Sequence, residues 1–158
     1  MAEDFFRTVF MERKFHILFT LLFFGSSFLS VSHCSKQSDI ILSQYEESLA
    51  IAKNSNRKLI VVFGADWCPD CRALEGIFRE PEPKALLTQN FLILKVDVGR
   101  FDKNLSLNEK LGNPIENGIP ALVVIDPTGK ILTSTKGGEF SNASKMTKEQ
   151  VLEYLYRL

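Results

Sequence analysis

The sequence predicts an α/β domain: a central, mixed four-stranded sheet flanked by helices on both faces. Three observations predict it. Leu59-Ile60-Val61-Val62-Phe63 is an unbroken, partly β-branched run, and a strand apolar on both faces belongs inside a sheet covered on both sides. Helical and strand patterns then alternate along the chain, which favours parallel βαβ pairing. Near the end, Asp126-Pro127-Thr128-Gly129 separates the apolar Ala121-Leu122-Val123-Val124-Ile125 from a Thr-rich segment, the signature of a terminal hairpin.

Each element has its own warrant. Ser43-Gln44-Tyr45-Glu46 has the form of a capping box, followed by Tyr45, Leu49 and Ala52 at helical spacing, so a first helix is expected over residues 44–53. The central strand follows at 59–63. A second helix opens at the cysteine pair, where Pro69 suits the first turn, and Ala73, Leu74, Ile77 and Phe78 give it an apolar face. It should stop or kink at Glu80-Pro81-Glu82-Pro83, because a residue before proline leaves the α region; a shorter piece over 84–89 continues it. Residues 91–98 read as a strand, 104–111 as a polar helix, and 121–125 as the third strand, with 130–135 as its hairpin partner. Thr147 with Gln150 makes a second capping box and Met146 with Val151 a hydrophobic staple, which start a last helix running to about Leu158.

Ahead of this domain, Arg13-Lys14 precedes an apolar run over residues 17–31. It is shorter than the roughly 20 residues of a spanning helix and ends in small residues, so a secretory leader over residues 1–33 is expected, followed by a linker at 34–42 and the domain at 43–158. Ser30-Val31-Ser32 suits a general signal peptidase, with a soluble product from His33. Val31-Ser32-His33-Cys34 is similar to a lipoprotein box that would acylate Cys34, although His33 is bulky for it. An uncleaved anchor is the third reading. Met11 makes a better leader start than Met1.

Composition narrows the partners. The chain of 158 residues is 45% hydrophobic and 24% charged, with 19 basic and 19 acidic residues, which argues against disorder and against a nucleic-acid surface. The leader holds three of each sign (Glu3, Asp4, Glu12; Arg7, Arg13, Lys14), so the exported part stays near neutral. Three cysteines are present: Cys34 and the close pair Cys68 and Cys71. An exported domain stapled by disulfides would disperse more of them, so the pair is expected to do redox chemistry in the periplasm or cell envelope.

The pair sits in Trp67-Cys68-Pro69-Asp70-Cys71, after the central strand. A strand that delivers a cysteine to the first turn of a helix places its sulfur among free backbone N–H groups and the positive end of the helix dipole, which favours thiolate. Competing uses are weaker. Zinc needs about four ligands, and the two histidines, His16 and His33, fall in or beside the leader; haem attachment needs a His where Arg72 stands. Two thiolates could hold Cu(I), so a copper-binding chaperone is the alternative to exchange chemistry, and a non-catalytic scaffold is the third reading. No organic or metal cofactor is expected; the redox centre is Cys68-Cys71 itself.

Trp67-Cys68-x-x-Cys71 at the end of a central strand, with Ile119-Pro120 opening a later strand before a hairpin and a final helix, resembles the thioredoxin family from about Ser43 to Leu158. The loops Asn113-Pro114-Ile115-Glu116-Asn117-Gly118 and Gly137-Gly138-Glu139 are similar to those of exported bacterial members. The resemblance implies a thioredoxin-like fold and a thiol–disulfide oxidoreductase in which an exposed Cys68 thiolate attacks a protein disulfide and Cys71 resolves the mixed disulfide. It implies a cis Ile119-Pro120 peptide whose backbone receives an extended substrate segment, with Trp67, Pro69, Asp70 and Lys95 in support. An exported reductase must be re-reduced, so a membrane thiol relay is expected as electron donor. Thioredoxins carry a buried Asp six residues before the first cysteine, where this chain has Val62; Lys95 matches the lysine that normally pairs with it. Lys95 without its partner would favour thiolate by charge. Asp70, where strong oxidases have His, argues for a reductase-like poise.

Overall fold

The computed structural model describes residues 33–135 and 138–158, with side chains from residue 40 onward. Residues 1–32 of the expected leader lie outside these residues, as do the Cys34 side chain and Gly137. Residues Gln37–Leu158 form the unit described below.

The elements, in chain order, are α1 (His33–Ser55), β1 (Lys58–Gly64), α2 (Pro69–Arg79), α3 (Pro81–Asn90), β2 (Phe91–Asp97), α4 (Leu105–Lys110), a 3-10 turn (Pro114–Asn117), β3 (Ala121–Ile125), β4 (Ile131–Ser134), a second 3-10 turn (Ala143–Lys145) and α5 (Lys148–Tyr156). The sheet order is β2-β1-β3-β4. β1 pairs parallel with β2 and antiparallel with β3, and β3 pairs antiparallel with β4. The mixed sheet and its terminal hairpin are as the sequence predicts.

Strand alternation sends side chains to two apolar layers. Leu59, Val61, Phe63, Val96 and Val123 pack with Ile41, Tyr45 and Ala52 of α1 and Leu107 of α4. Ile60, Leu122 and Val124 pack on the other side with Leu74 and Phe78 of α2 and Val151 and Leu155 of α5. Helices therefore cover both faces, and β1 and β3 are the inner strands. Leu59, Ile60, Val61 and Phe63 are fully buried, each worth about 1.5–3 kcal/mol relative to exposure.

Two boundaries differ from the sequence expectation. Helix α1 begins at His33, so the Ser43 box lies inside it and residues 34–42, expected as a linker, have helical backbone. The cause is Ile41, buried one turn ahead of Tyr45 on the same face, which carries the apolar stripe upstream of Ser43. At the second boundary, Glu80 turns extended (ψ 151°) and Pro81 occupies the first turn of α3. The prolines thus restart a helix over 81–90 instead of leaving a gap before 84, because the first turn needs no N–H from proline. The Thr147–Gln150 capping box is present as read.

Candidate redox site

β1 ends at Gly64 and the chain turns through Ala65-Asp66-Trp67 into α2. Cys68 is the N-cap of α2, in extended conformation, and the Cys71 N–H donates to its Sγ at 3.1 Å. A sulfur in this position takes an otherwise orphaned helix donor and lies at the positive end of the dipole. Pro69 fills the next position, where a missing N–H costs nothing. Cys68 and Cys71 are disulfide-bonded with Cα atoms 5.2 Å apart, an ordinary span for the bond. Gly64 lies against Cys71: a Cβ there would meet Cys71 Sγ at 3.4 Å, an ordinary contact distance.

The Ile119-Pro120 peptide is cis. The Ile119 carbonyl oxygen lies 3.7 Å from Cys68 Sγ, which brings the second predicted segment onto the cysteines. Two buried polar residues hold it. Asn108 accepts the Ile115 N–H at 3.3 Å and donates to Asn113 Oδ1 at 3.0 Å, fixing the turn ahead of Gly118. Thr135 Oγ1 accepts the Leu122 N–H at 2.6 Å, just after Pro120.

The cysteines differ in exposure, and the expectation of an exposed Cys68 is corrected. In the disulfide form Cys68 is 3% exposed, because its cap position turns the sulfur toward Ile119 and the helix backbone. Cys71 is half-buried and lines a cavity of about 140 Å³ together with Val62, Gly64, Glu75, Lys95 and Pro120.

Lys95 is also corrected. In β2 it stands beside Val62 of β1, but its ammonium is paired with the Glu75 carboxylate of α2, which Arg79 shares. Lys95 therefore does not face the sulfurs as an uncompensated charge. The Lys95 hydrogen bond, above all, holds the Glu75 carboxyl below its ordinary range. Glu75 lies one helical turn after Cys71 on the same face. That spacing is its only sequence signal.

Asp70 is not a free charge between the cysteines. Its Oδ1 accepts the Ser144 N–H at 2.9 Å and the Ser144 hydroxyl at 2.7 Å, bonds that lower its pKa, the backbone one most. Ser144 was not legible in the sequence: it is 74 residues away, with no local pattern to mark it. Trp67 is half exposed, and its Nε1 donates to the Gly99 carbonyl at 2.7 Å. Among the described residues no group of three or more His, Cys, Asp or Glu is placed to hold a metal ion, and no helix is long and apolar enough to cross a membrane.

Residues 40–127 match the thioredoxin-like family. The chain belongs to that family. Among solved structures, a protein described as a disulphide isomerase from Xylella fastidiosa superposes with a TM-score of 0.72 at 37% identity, over 84% of this chain and 98% of that one. A thioredoxin from Thermus thermophilus shares the fold, with a TM-score of 0.54 and 21% identity over 72% of this chain and 82% of that one. Mouse anterior gradient protein 2 homolog is 33% identical over 98 residues, 62% of this chain and 51% of the mouse protein. The chain thus spans about half the length of that curated relative. With the family comes the thioredoxin-like fold, here bearing a C-x-x-C pair able to form a disulfide.

Proposed function

We propose that the protein is a thiol–disulfide oxidoreductase acting on protein disulfides in the cell envelope, with a reductase-like poise. One observation carries the reading: Cys68 caps α2, takes the Cys71 N–H on its sulfur and lies within disulfide reach of Cys71, so the same backbone that favours thiolate positions the partner thiol. In the reductive direction the Cys68 thiolate attacks a substrate disulfide. A Cys68–substrate disulfide forms and one substrate sulfur leaves, taking up a proton. The Cys71 thiolate then attacks Cys68 Sγ, closing Cys68–Cys71 and releasing the second substrate thiol. Two electrons pass from protein to substrate, and a dithiol donor must return them.

Support for direction comes from Asp70: its ionised carboxylate beside the cap disfavours a second negative charge on Cys68, which destabilises the reduced form. Export is supported by the basic pair and apolar run of residues 13–31; an exported reductase needs a membrane thiol relay as donor, and acylation of Cys34 would keep it at that membrane. The Xylella protein's description as a disulphide isomerase supports exchange on protein substrates.

The test is insulin reduction by dithiothreitol, followed by turbidity. Wild-type protein should accelerate precipitation and Cys68→Ser should not; tight Cu(I) loading of a wild type that shows no acceleration would overturn the reading in favour of metal binding.

A further inference from the structure

The loop after β2 holds an exposed aromatic residue on left-handed backbone. Phe101 has φ +64° and the residue is 43% exposed. A bulky aromatic in the left-handed region is a genuine outlier, and backbone in such regions persists where the surroundings over-determine it. They do so here. Asp97 Oδ1 accepts the Gly99 N–H at 2.9 Å, Asp102 Oδ1 accepts the Arg100 N–H at 2.8 Å, and Asn104 Nδ2 donates to the Asp97 carbonyl at 2.7 Å. A Cβ at Gly99 (φ +57°) would lie 2.3 Å from Asp102 Oδ1 and displace that carboxylate. The Gly99 carbonyl in turn takes the Trp67 indole N–H. The loop is thereby fixed to the residue before Cys68, and the Phe101 ring meets the Trp67 ring edge-on, with centroids 6.1 Å apart.

Two half-exposed aromatic rings, locked together next to the reacting cysteine, form a rigid apolar surface that leaves little to be ordered on binding. We propose that Trp67 and Phe101 form a specificity subsite, which takes an aliphatic or aromatic side chain flanking the substrate cysteine that joins Cys68. The occupant is the substrate polypeptide, because the surface is continuous with Cys68 through Trp67: once the mixed disulfide has formed, the chain on either side of the substrate cysteine must lie along the rim of this site. The inference rests on the exchange reading above and adds to it the substrate chemistry.

The test uses reduced full-length protein in single turnover against synthetic peptides that each carry one intramolecular disulfide. The peptides are identical except for the residue before or after the reacting cysteine, which is Phe, Leu or Ser. The loss of peptide disulfide is measured after acid quench. Wild type should react with the Phe- or Leu-flanked peptide about five- to tenfold faster than with the Ser-flanked one, the range expected for an aromatic contact. Phe101→Gly keeps the left-handed backbone and removes the ring; it should bring that ratio to within about twofold, and Phe101→Tyr should restore it. A melting temperature for Phe101→Gly no lower than that of wild type shows that the loop still folds. A ratio that survives in the folded Phe101→Gly protein, or equal wild-type rates on all peptides, overturns the subsite and leaves exchange standing. A wild type that reacts with none of the peptides overturns both.

Discussion

Replacing Asp70 with Asn removes one charge while keeping an oxygen acceptor for the Ser144 N–H and hydroxyl, so it isolates the electrostatic part of the site. Asp70 lies two residues after the Cys68 cap, and a carboxylate about 7 Å from a thiolate sets the scale of the repulsion. At that separation, two unit charges repel by about 0.6 kcal/mol in bulk water and about 1.2 kcal/mol at half the dielectric constant. The carboxylate is hydrogen-bonded but close to solvent, so the true value lies between these limits. That corresponds to a fall of about half to one unit in the Cys68 pKa and, for a two-electron couple, a rise of about 15–30 mV in reduction potential. The protein would be equilibrated at pH 7 with graded glutathione buffers and the reduced fraction read by thiol alkylation. The shift should shrink at 1 M salt, where the Debye length is about 3 Å, and Asp70→His should move the potential further in the same direction. A potential for Asp70→Asn that is unchanged or more negative at low salt would refute the reasoning.

Other outcomes follow from the same contacts. Cys71→Ser should accumulate a covalent Cys68–substrate complex visible on a non-reducing gel, whereas Cys68→Ser should not; trapping by Cys68→Ser alone would reverse the two roles. Thr135→Val, a near-isosteric change, strands the buried Leu122 N–H and should cost about 1–3 kcal/mol, read as a lower urea midpoint, with Thr135→Ser close to wild type. Asp70, Glu75 and Asp97 all have carboxyl pKa values lowered by their partners: Ser144, Lys95 and the Gly99 N–H, respectively. A depressed folded pKa contributes stability above the unfolded value near 4 and loses it as pH falls through the folded one. The unfolding free energy from urea curves should therefore decline from pH 5 to pH 3, by under about 1 kcal/mol per exposed group; a midpoint that rises over that range contradicts the assignment.

The parts of the fold that the sequence makes legible are those whose cause is local. Continuous burial writes β1 and β3 as apolar runs, and Thr147 with Gln150 starts α5 because both halves of the box fall within one turn. The Ser43 box fails for the opposite reason. A capping side chain starts a helix only if the preceding residues leave it, and Ile41 gains more by continuing the buried stripe toward Tyr45. The site divides in the same way: Cys68, Pro69 and Cys71 sit within one helical turn and are readable, while the partners of Asp70 and Lys95 depend on which elements the sheet brings together. Phe101 carries no sequence signal, since phenylalanine is a poor choice for a left-handed position and its conformation is imposed by Asp97, Asp102 and Gly99.

These pairings change how the sulfurs are controlled. With Val62 in place of a buried carboxylate, Lys95 beside the cavity is compensated by Glu75. On its own helix Cys68 meets the Cys71 N–H and the dipole of α2, with the Asp70 carboxylate two residues on. The first two are backbone features that do not titrate, so they favour thiolate at every pH at which the helix is folded. Asp70 stays ionised down to acid pH because Ser144 bonds its charged form. A thiol controlled in this way should show a pH dependence set by its own ionisation alone, with no second titration from a neighbouring base. Thioredoxins that place a carboxylate behind the resolving cysteine add a coupled titration at that point; here, with that position apolar, the rate of Cys68 attack, read as mixed-disulfide formation by Cys71→Ser, should rise with pH through a single transition.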